Sequence, residues 1–267
     1  MLELTEDDYR YLSDYAEKRG IQFLGSAWDP KSADFLESLD VPALKIPSAD
    51  LTNLPLLDHV ARKGRPIIVS TGMSTLKEVR EAVQTVIHHT DQLILLHCVS
   101  IYPCDNEKVN LRVMETLRRE FGCLVGYSGH ERGIAISVGA AALGACVVER
   151  HYTLDRTMQG PDHAASLEPD GLRRVVRYIR SIEVAIGTGE KDILPEEVPI
   201  RHRLAKSLVA AVDVPQGAVI AAKMLTAKSP GTGLSPRYRA TLIGRIARQA
   251  IPRDTLIPLE ALEWEKP

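Results

Sequence analysis

Short apolar runs punctuate the chain at residues 21–25, 43–47, 66–70, 93–98, 123–127 and 145–149. They are continuously hydrophobic rather than alternating, the pattern of strands covered on both faces. Between them, apolar residues recur every three or four positions, as in amphipathic helices. Thr5 can cap a helix running to Lys18 and Arg19, with Gly20 as its stop. Ser74 or Thr75 can cap a helix over 76–88, and Asn110 one over 111–121. Two more helical patterns cover 133–143 and about 169–186. Strand and helix thus alternate in six units, which predicts parallel strands joined by right-handed crossovers.

A closed (β/α)₈ barrel needs eight such units in about 250 residues. An open doubly wound sheet is the alternative, but no glycine-rich dinucleotide fingerprint follows any strand. The pattern changes after Gly187. Residues 188–203 are polar and proline-bearing, the composition of a linker. Beyond them come strand-like runs at 207–212 and 255–258, turns at Val214-Pro-Gln-Gly and Pro230-Gly-Thr-Gly, and a segment over 243–247 that suits strand or helix. The expected organisation is a partial (β/α)-barrel domain over 1–188, a linker over 189–204 and a small domain over 205–267. A domain of about 60 residues is marginal alone and needs something to pack on.

Composition narrows the class. The chain is 45% hydrophobic and 25% charged with a formal net charge of −2, a soluble globular profile without the basic footprint of a nucleic-acid binder. An anionic substrate would need a local cationic pocket instead of a global field. No run approaches 18 apolar residues, so no membrane span is expected. The acidic start from Met1 to Asp8 lacks the features of a signal peptide. Cys98, Cys104, Cys123 and Cys146 have no C-x-x-C spacing and read as reduced, buried thiols of a cytoplasmic protein.

In a parallel α/β barrel the chemistry collects at the C-terminal ends of the strands. Those positions hold Ser26, then Lys45 with Ser48, then Ser70 with Thr71 and Gly72. They continue with His97, Ser100 and Tyr102, then Ser128 with His130, and Glu149 with His151. A lysine among hydroxyls suits a phosphate or carboxylate, although each hydroxyl alone could be an ordinary strand-end cap. Lys45 lies within Ala-Leu-Lys-Ile-Pro, where an unpaired ammonium would be costly, so a bound anion is the better reading than a snorkelling surface lysine. His130 and His151 follow consecutive strands. Two neutral imidazoles facing a pocket suit a catalytic divalent metal, while a lone strand-end histidine is more often structural. Glu149 could support a metal-bound water or orient substrate hydroxyls. Asp162, in the polar loop Gly160-Pro-Asp-His-Ala-Ala-Ser-Leu-Glu, could contact a sugar or simply form a turn.

These segments resemble the sialic acid synthases. The resemblance rests on Lys45-Ile-Pro-Ser-Ala-Asp-Leu-Thr-Asn, Ser70-Thr-Gly-Met, His97-Cys-Val-Ser-Ile-Tyr-Pro, Gly126-Tyr-Ser-Gly-His, Glu149-Arg-His-Tyr-Thr-Leu-Asp and the loop after Gly160. It runs in family order from about Leu2 to Trp264. It implies a TIM-type (β/α)₈ barrel followed by an antifreeze-protein-like (SAF) domain, swapped across a homodimer to lid the partner's active site. It implies that Lys45, Ser48, Ser70, Ser100, Tyr102 and Ser128 hold phosphoenolpyruvate. His130 and His151 match metal ligands for Mn²⁺ or Mg²⁺, and Glu149 and Asp162 match sugar contacts. It also implies roughly 80 further residues ahead of Leu2, two units of the barrel repeat, supplying a catalytic glutamate and a second phosphoenolpyruvate lysine. Two substitutions depart from the family pattern: Ser229 stands where many bacterial members have arginine, and Ser26 where some have threonine.

The implied activity is condensation of phosphoenolpyruvate with N-acetylmannosamine or a related N-acyl amino sugar, releasing phosphate. Legionaminic, pseudaminic or sialic acid 9-phosphate synthesis are close alternatives. A Schiff-base aldolase with Lys45 as nucleophile, or an inactive truncated fragment, are more distant ones.

Overall fold

The structure, a computed structural model, describes residues 4–264. Met1, Leu2 and Glu3 of the acidic start lie outside the described residues. The chain divides into two compact units, Met1–Thr188 and Gly189–Pro267.

In the first unit, among the described residues, five strands form one parallel sheet in sequential order, curled as a half-barrel. They are β1 (Leu44–Ile46), β2 (Ile67–Ser70), β3 (Leu93–Cys98), β4 (Leu124–Gly129) and β5 (Val148–Arg150). Helices α1 (Glu6–Lys18) and α2 (Pro30–Ser38) precede β1; α3 (Leu54–Ala61), α4 (Leu76–Ile87), α5 (Asn106–Val109), α6 (Val113–Phe121) and α7 (Ala135–Ala142) lie between the strands, and α8 (Pro169–Ile186) follows β5. The starts of α1 and α4 are capping boxes, Thr5 with Asp8 and Thr75 with Glu78.

Side chains alternate between the two faces of a strand. One face carries Leu44, Ile46, Ile67, Val69, Leu95 and Val125 into the main core against the helices. The other begins apolar, with Ala43, Ile68 and Leu96 packed together. It turns polar toward the strand ends, where the same parity brings Lys45, Ser70, Cys98, Ser128 and Glu149. The β3–β4–β5 register sets Cys98 beside Ser128 and Ser128 beside Glu149.

Several expectations change. Residues 21–25 form no strand: Ile21 and Leu24 are exposed, and the backbone pairs with the sheet just beyond them, at a bridge between Ser26 and Lys45. A single bridging pair gives too few hydrogen bonds to hold an extended ladder. Asn110 does not start a helix; it is the left-handed C-cap of α5 (φ 52°), and α6 starts three residues later. The helices α2 and α3 escaped a hydrophobic-period reading, although Asp29-Pro30 and Asn53-Leu-Pro55 are cap-and-proline starts. Cys98 and Cys104 are buried as expected, but Cys123 is only half-buried and Cys146 is exposed, because it precedes β5 at the margin of the sheet.

In the second unit, part of the segment read as a linker is a helix, α9 (Glu197–Leu204). Glu197 in its first turn and Arg201, His202 and Arg203 in its last complement the helix dipole. Strands β6 (Ser207–Ala210) and β7 (Leu225–Lys228) pair antiparallel, and a short helix, α10 (Arg239–Leu242), follows. The 243–247 segment is neither a full strand nor a helix: it opens on a turn at Ile243 and Gly244 (φ 85°), and only Ile246 and Ala247 are extended, bridging Val219 and Leu262. Leu208, Ile220, Leu242, Ile251, Ile257 and Leu262 form a core of their own. Among the described residues no helix is long and apolar enough to cross a membrane.

Candidate active site

The polar end of the concave face is one connected cluster. Lys45 is 7% exposed. Its Nζ donates to Ser70 Oγ at 2.8 Å and to the Ile46 carbonyl at 3.3 Å, and faces Glu149 Oε2 at 3.6 Å. The premise of an unpaired buried ammonium is therefore corrected: the neighbouring strands give it a carboxylate and a hydroxyl. Glu149 in turn accepts from Ser128 Oγ at 2.8 Å.

Ser48 and Ser100 meet over Gly72. The Gly72 amide donates to Ser48 Oγ at 3.0 Å. A Cβ at Gly72 would collide with the Ser100 and Ser48 hydroxyls, so this position admits only a bare backbone without displacing them. Cys98 lies alongside, its Sγ 4.0 Å from Ser100 Oγ and 3.9 Å from His130 Nδ1.

The imidazoles of His130 and His151 stand with ring centroids 5.1 Å apart, and Tyr102 packs on both, at 4.0 and 5.4 Å. His130 Nδ1 lies 2.8 Å from the Val99 carbonyl, which must accept, so Nδ1 carries the proton and Nε2 is the free lone pair in the neutral ring. Burial pushes the His130 pKa below its usual value. His151 is lowered by burial first and by His130 second, and its Nδ1 lies 3.7 Å from Asp162 Oδ2. The Tyr102 phenol is pushed up to about 12, chiefly by burial, and so remains a hydrogen-bond donor at neutral pH.

Two neutral imidazoles are a sound donor pair for a divalent ion. Among the described residues no group of three or more His, Cys, Asp or Glu side chains could hold one unaided. His130 and His151 supply two such donors, one fewer than the three protein ligands usual at an open catalytic site, so any ion there would need further ligands from substrate and water.

Ten of the residues singled out for chemistry, from Lys45 to Asp162, lie on this rim. His97 does not belong with them: its parity turns it to the helix side, where it is buried and Nε2 lies 2.6 Å from the Val109 carbonyl. Ser26 reaches the rim only through its backbone bridge to Lys45. Sequence reasoning missed Cys98, Gly72's close approach and a buried pair, Glu131 with Arg150. The pair had a signal: each charge adjoins a rim histidine, so alternation sends it into the apolar layer.

The NeuB family model matches residues 1–191 and the SAF domain model residues 205–263. This chain belongs to the NeuB family. The NeuB chain is 42% identical to an N,N'-diacetyllegionaminic acid synthase of Legionella pneumophila, over 98% of its own length and 75% of that protein. It is also 42% identical to the human N-acetylneuraminate-9-phosphate synthase, over 98% of its length and 74% of the relative. Among solved structures, an N-acetylneuraminic acid synthetase from Leptospira borgpetersenii in complex with citrate superposes with a TM-score of 0.70 at 34% identity, over 74% of this chain and 70% of that one. The curled parallel sheet of this NeuB protein is an arc of a TIM-type barrel, and the resemblance to sialic acid synthases holds for both units.

Proposed function

We propose that this NeuB-family chain is a nonulosonic acid synthase that condenses phosphoenolpyruvate with an N-acyl amino sugar, N-acetylmannosamine or a relative of it. The observation that carries the reading is the continuity of the rim. A lysine–hydroxyl cluster at β1–β3 runs without a break into an imidazole pair at β4–β5.

Lys45 and Ser70 hold the anionic oxygens of phosphoenolpyruvate, with Ser48, Ser100 and Tyr102 donating around them and Ser128 against them, its own proton given to Glu149. These donors are in place before charge moves, which is electrostatic preorganisation. The enol carbon C3 attacks the open-chain aldehyde carbon of the sugar, water adds at C2, and the tetrahedral intermediate expels inorganic phosphate. His130 and His151 would hold a divalent ion, Mn²⁺ or Mg²⁺, and that ion would supply Lewis-acid polarisation of the aldehyde. Glu149, steadied by Ser128 and Lys45, orients sugar hydroxyls, and Asp162, beside His151, does the same. The protein works in the cytoplasm as a homodimer whose SAF unit lids the partner's pocket, and it binds no nucleic acid.

The test is phosphate release from phosphoenolpyruvate with Mn²⁺ and each of three acceptors. These are N-acetylmannosamine, its 6-phosphate, and a 2,4-diacetamido-2,4,6-trideoxy hexose of the legionaminic series. Sugar-dependent release matched by nonulosonic acid, and abolished by a chelator, is expected. Release with none of them, together with a borohydride-trapped keto-acid adduct on Lys45, would overturn the reading in favour of a Schiff-base aldolase.

A further inference from the structure

Directly behind the two rim imidazoles, on the helix side of the sheet, lies a polar island in an otherwise apolar layer. Glu131 follows His130 in the chain, and Arg150 precedes His151. Their side chains are 0% and 2% exposed and meet at 2.7 Å. The guanidinium also donates to Ser137 Oγ at 2.8 Å, to the Gly133 carbonyl at 2.9 Å, and to the Glu131 and Ala165 carbonyls. The second carboxylate oxygen of Glu131 accepts from the Tyr127 hydroxyl at 2.7 Å. Gly129 leaves the room this requires, since a Cβ there would come within 2.6 Å of the carboxylate.

The backbone ladder cannot set the imidazole spacing by itself. The β4–β5 pairing ends with Gly129 beside Arg150, so His130 and His151 both lie past its last pair. The next tie between the two segments is Glu131–Arg150. Its fork also fixes the loop after His130 through Gly133 and the loop after His151 through Ala165. A buried ion pair seldom stabilises more than apolar side chains of the same volume would. What such a pair adds is a defined geometry.

We propose that Glu131 and Arg150 are positioning residues that clasp the ends of β4 and β5 and set the separation of the His130 and His151 rings. The inference rests on the divalent-ion role given to those rings above. Outer partners of metal ligands typically change affinity by about 10- to 100-fold when removed, and a loss in that range is the effect assigned to the pair.

The experiment measures Mn²⁺ binding by electron paramagnetic resonance, with thermal unfolding of the same samples. It compares the wild-type chain, Glu131→Gln, Arg150→Met, the double variant, and Lys63→Met. Lys63 is a control: its side chain is also largely buried and ion-paired, with Asp34 and Glu37, but away from the rim. The double variant leaves no orphaned charge, so it folds even where Arg150→Met does not. It is expected to bind Mn²⁺ about 10- to 100-fold more weakly, with kcat reduced more than KM for phosphoenolpyruvate is raised. Lys63→Met is expected to melt earlier and bind Mn²⁺ normally. A folded double variant with wild-type Mn²⁺ affinity would overturn the proposal. A wild-type chain that binds no Mn²⁺ would remove the metal reading instead. The pair is then judged on the imidazole ¹⁵N resonances of the metal-free protein, which the double variant shifts if the pair positions the rings and leaves unmoved if it does not.

Discussion

On the helix side of the parallel sheet, β1 to β4 present Leu44, Ile46, Val69, Leu95 and Val125 to a dry core. On the concave side, the same strands present an apolar residue and then a polar one: Ala43 then Lys45, Ile68 then Ser70, Leu96 then Cys98. The two faces treat polar groups differently. Glu131, Arg150, Tyr127 and Ser137 on the helix side largely satisfy one another in a closed island. On the concave rim, Lys45 and the serines contact one another but keep donor capacity for something that arrives. The lesson is that the apolar helix side specifies shape and the rim awaits a ligand, so mutations of the apolar core and of the rim should separate stability from activity, with the Glu131–Arg150 pair acting on the rim from behind.

Four measurements test that separation. The largest effect is expected for His130→Ala. Losing a metal's charge stabilisation, several kcal/mol, corresponds to about 10³-fold or more in kcat. Mn²⁺ binding should vanish with it, while the denaturation midpoint moves little. A comparable loss of stability would break the comparison.

Leu95→Ala, at a side chain 1% exposed, is the mirror experiment. It should cost about 2–5 kcal/mol in urea unfolding and leave kcat of the folded fraction unchanged. Lys45→Met should weaken phosphoenolpyruvate by about 1.5–3 kcal/mol, the worth of a hydrogen bond to a charged group, seen as a raised KM. Its melting temperature should hold, because Glu149 is partly open to water and tolerates losing its partner.

The smallest effect concerns pH. Burial lowers the pKa of His97, His130 and His151 from 6.5. The unfolded chain therefore binds more protons than the folded one between the lowered values and 6.5. Stability should rise with pH through that window and fall as pH drops below about 6.5. Asp58, held at about 2 by its bonds from Arg62 and His89, titrates outside it. Unfolding midpoints between pH 5 and 7.5 should show the slope, and His97→Gln should flatten it. An identical profile in that variant would remove His97 from the account.

Much of this was legible in the sequence. Continuous apolar runs marked β1 to β5, and the residues just beyond them formed the rim. The failures have physical causes. Residues 21–25 have strand composition but lack the paired neighbours that make a strand. Asn110 is a good cap by identity, yet it serves as the left-handed end of α5. His97 looked like a site residue because strand ends were read without parity; counting in twos from Leu95 sends it to the core. The Lys45–Glu149 contact joins residues 104 positions apart along the chain and depends on sheet curvature that no local pattern encodes.

The most direct test is anomalous diffraction from crystals of the chain grown with Mn²⁺ and phosphoenolpyruvate. The account predicts one manganese peak within ligand distance of Nε2 of both His130 and His151, with phosphoenolpyruvate on Lys45 and Ser70 beside it. Manganese bound elsewhere, or phosphoenolpyruvate seated away from Lys45, would contradict it.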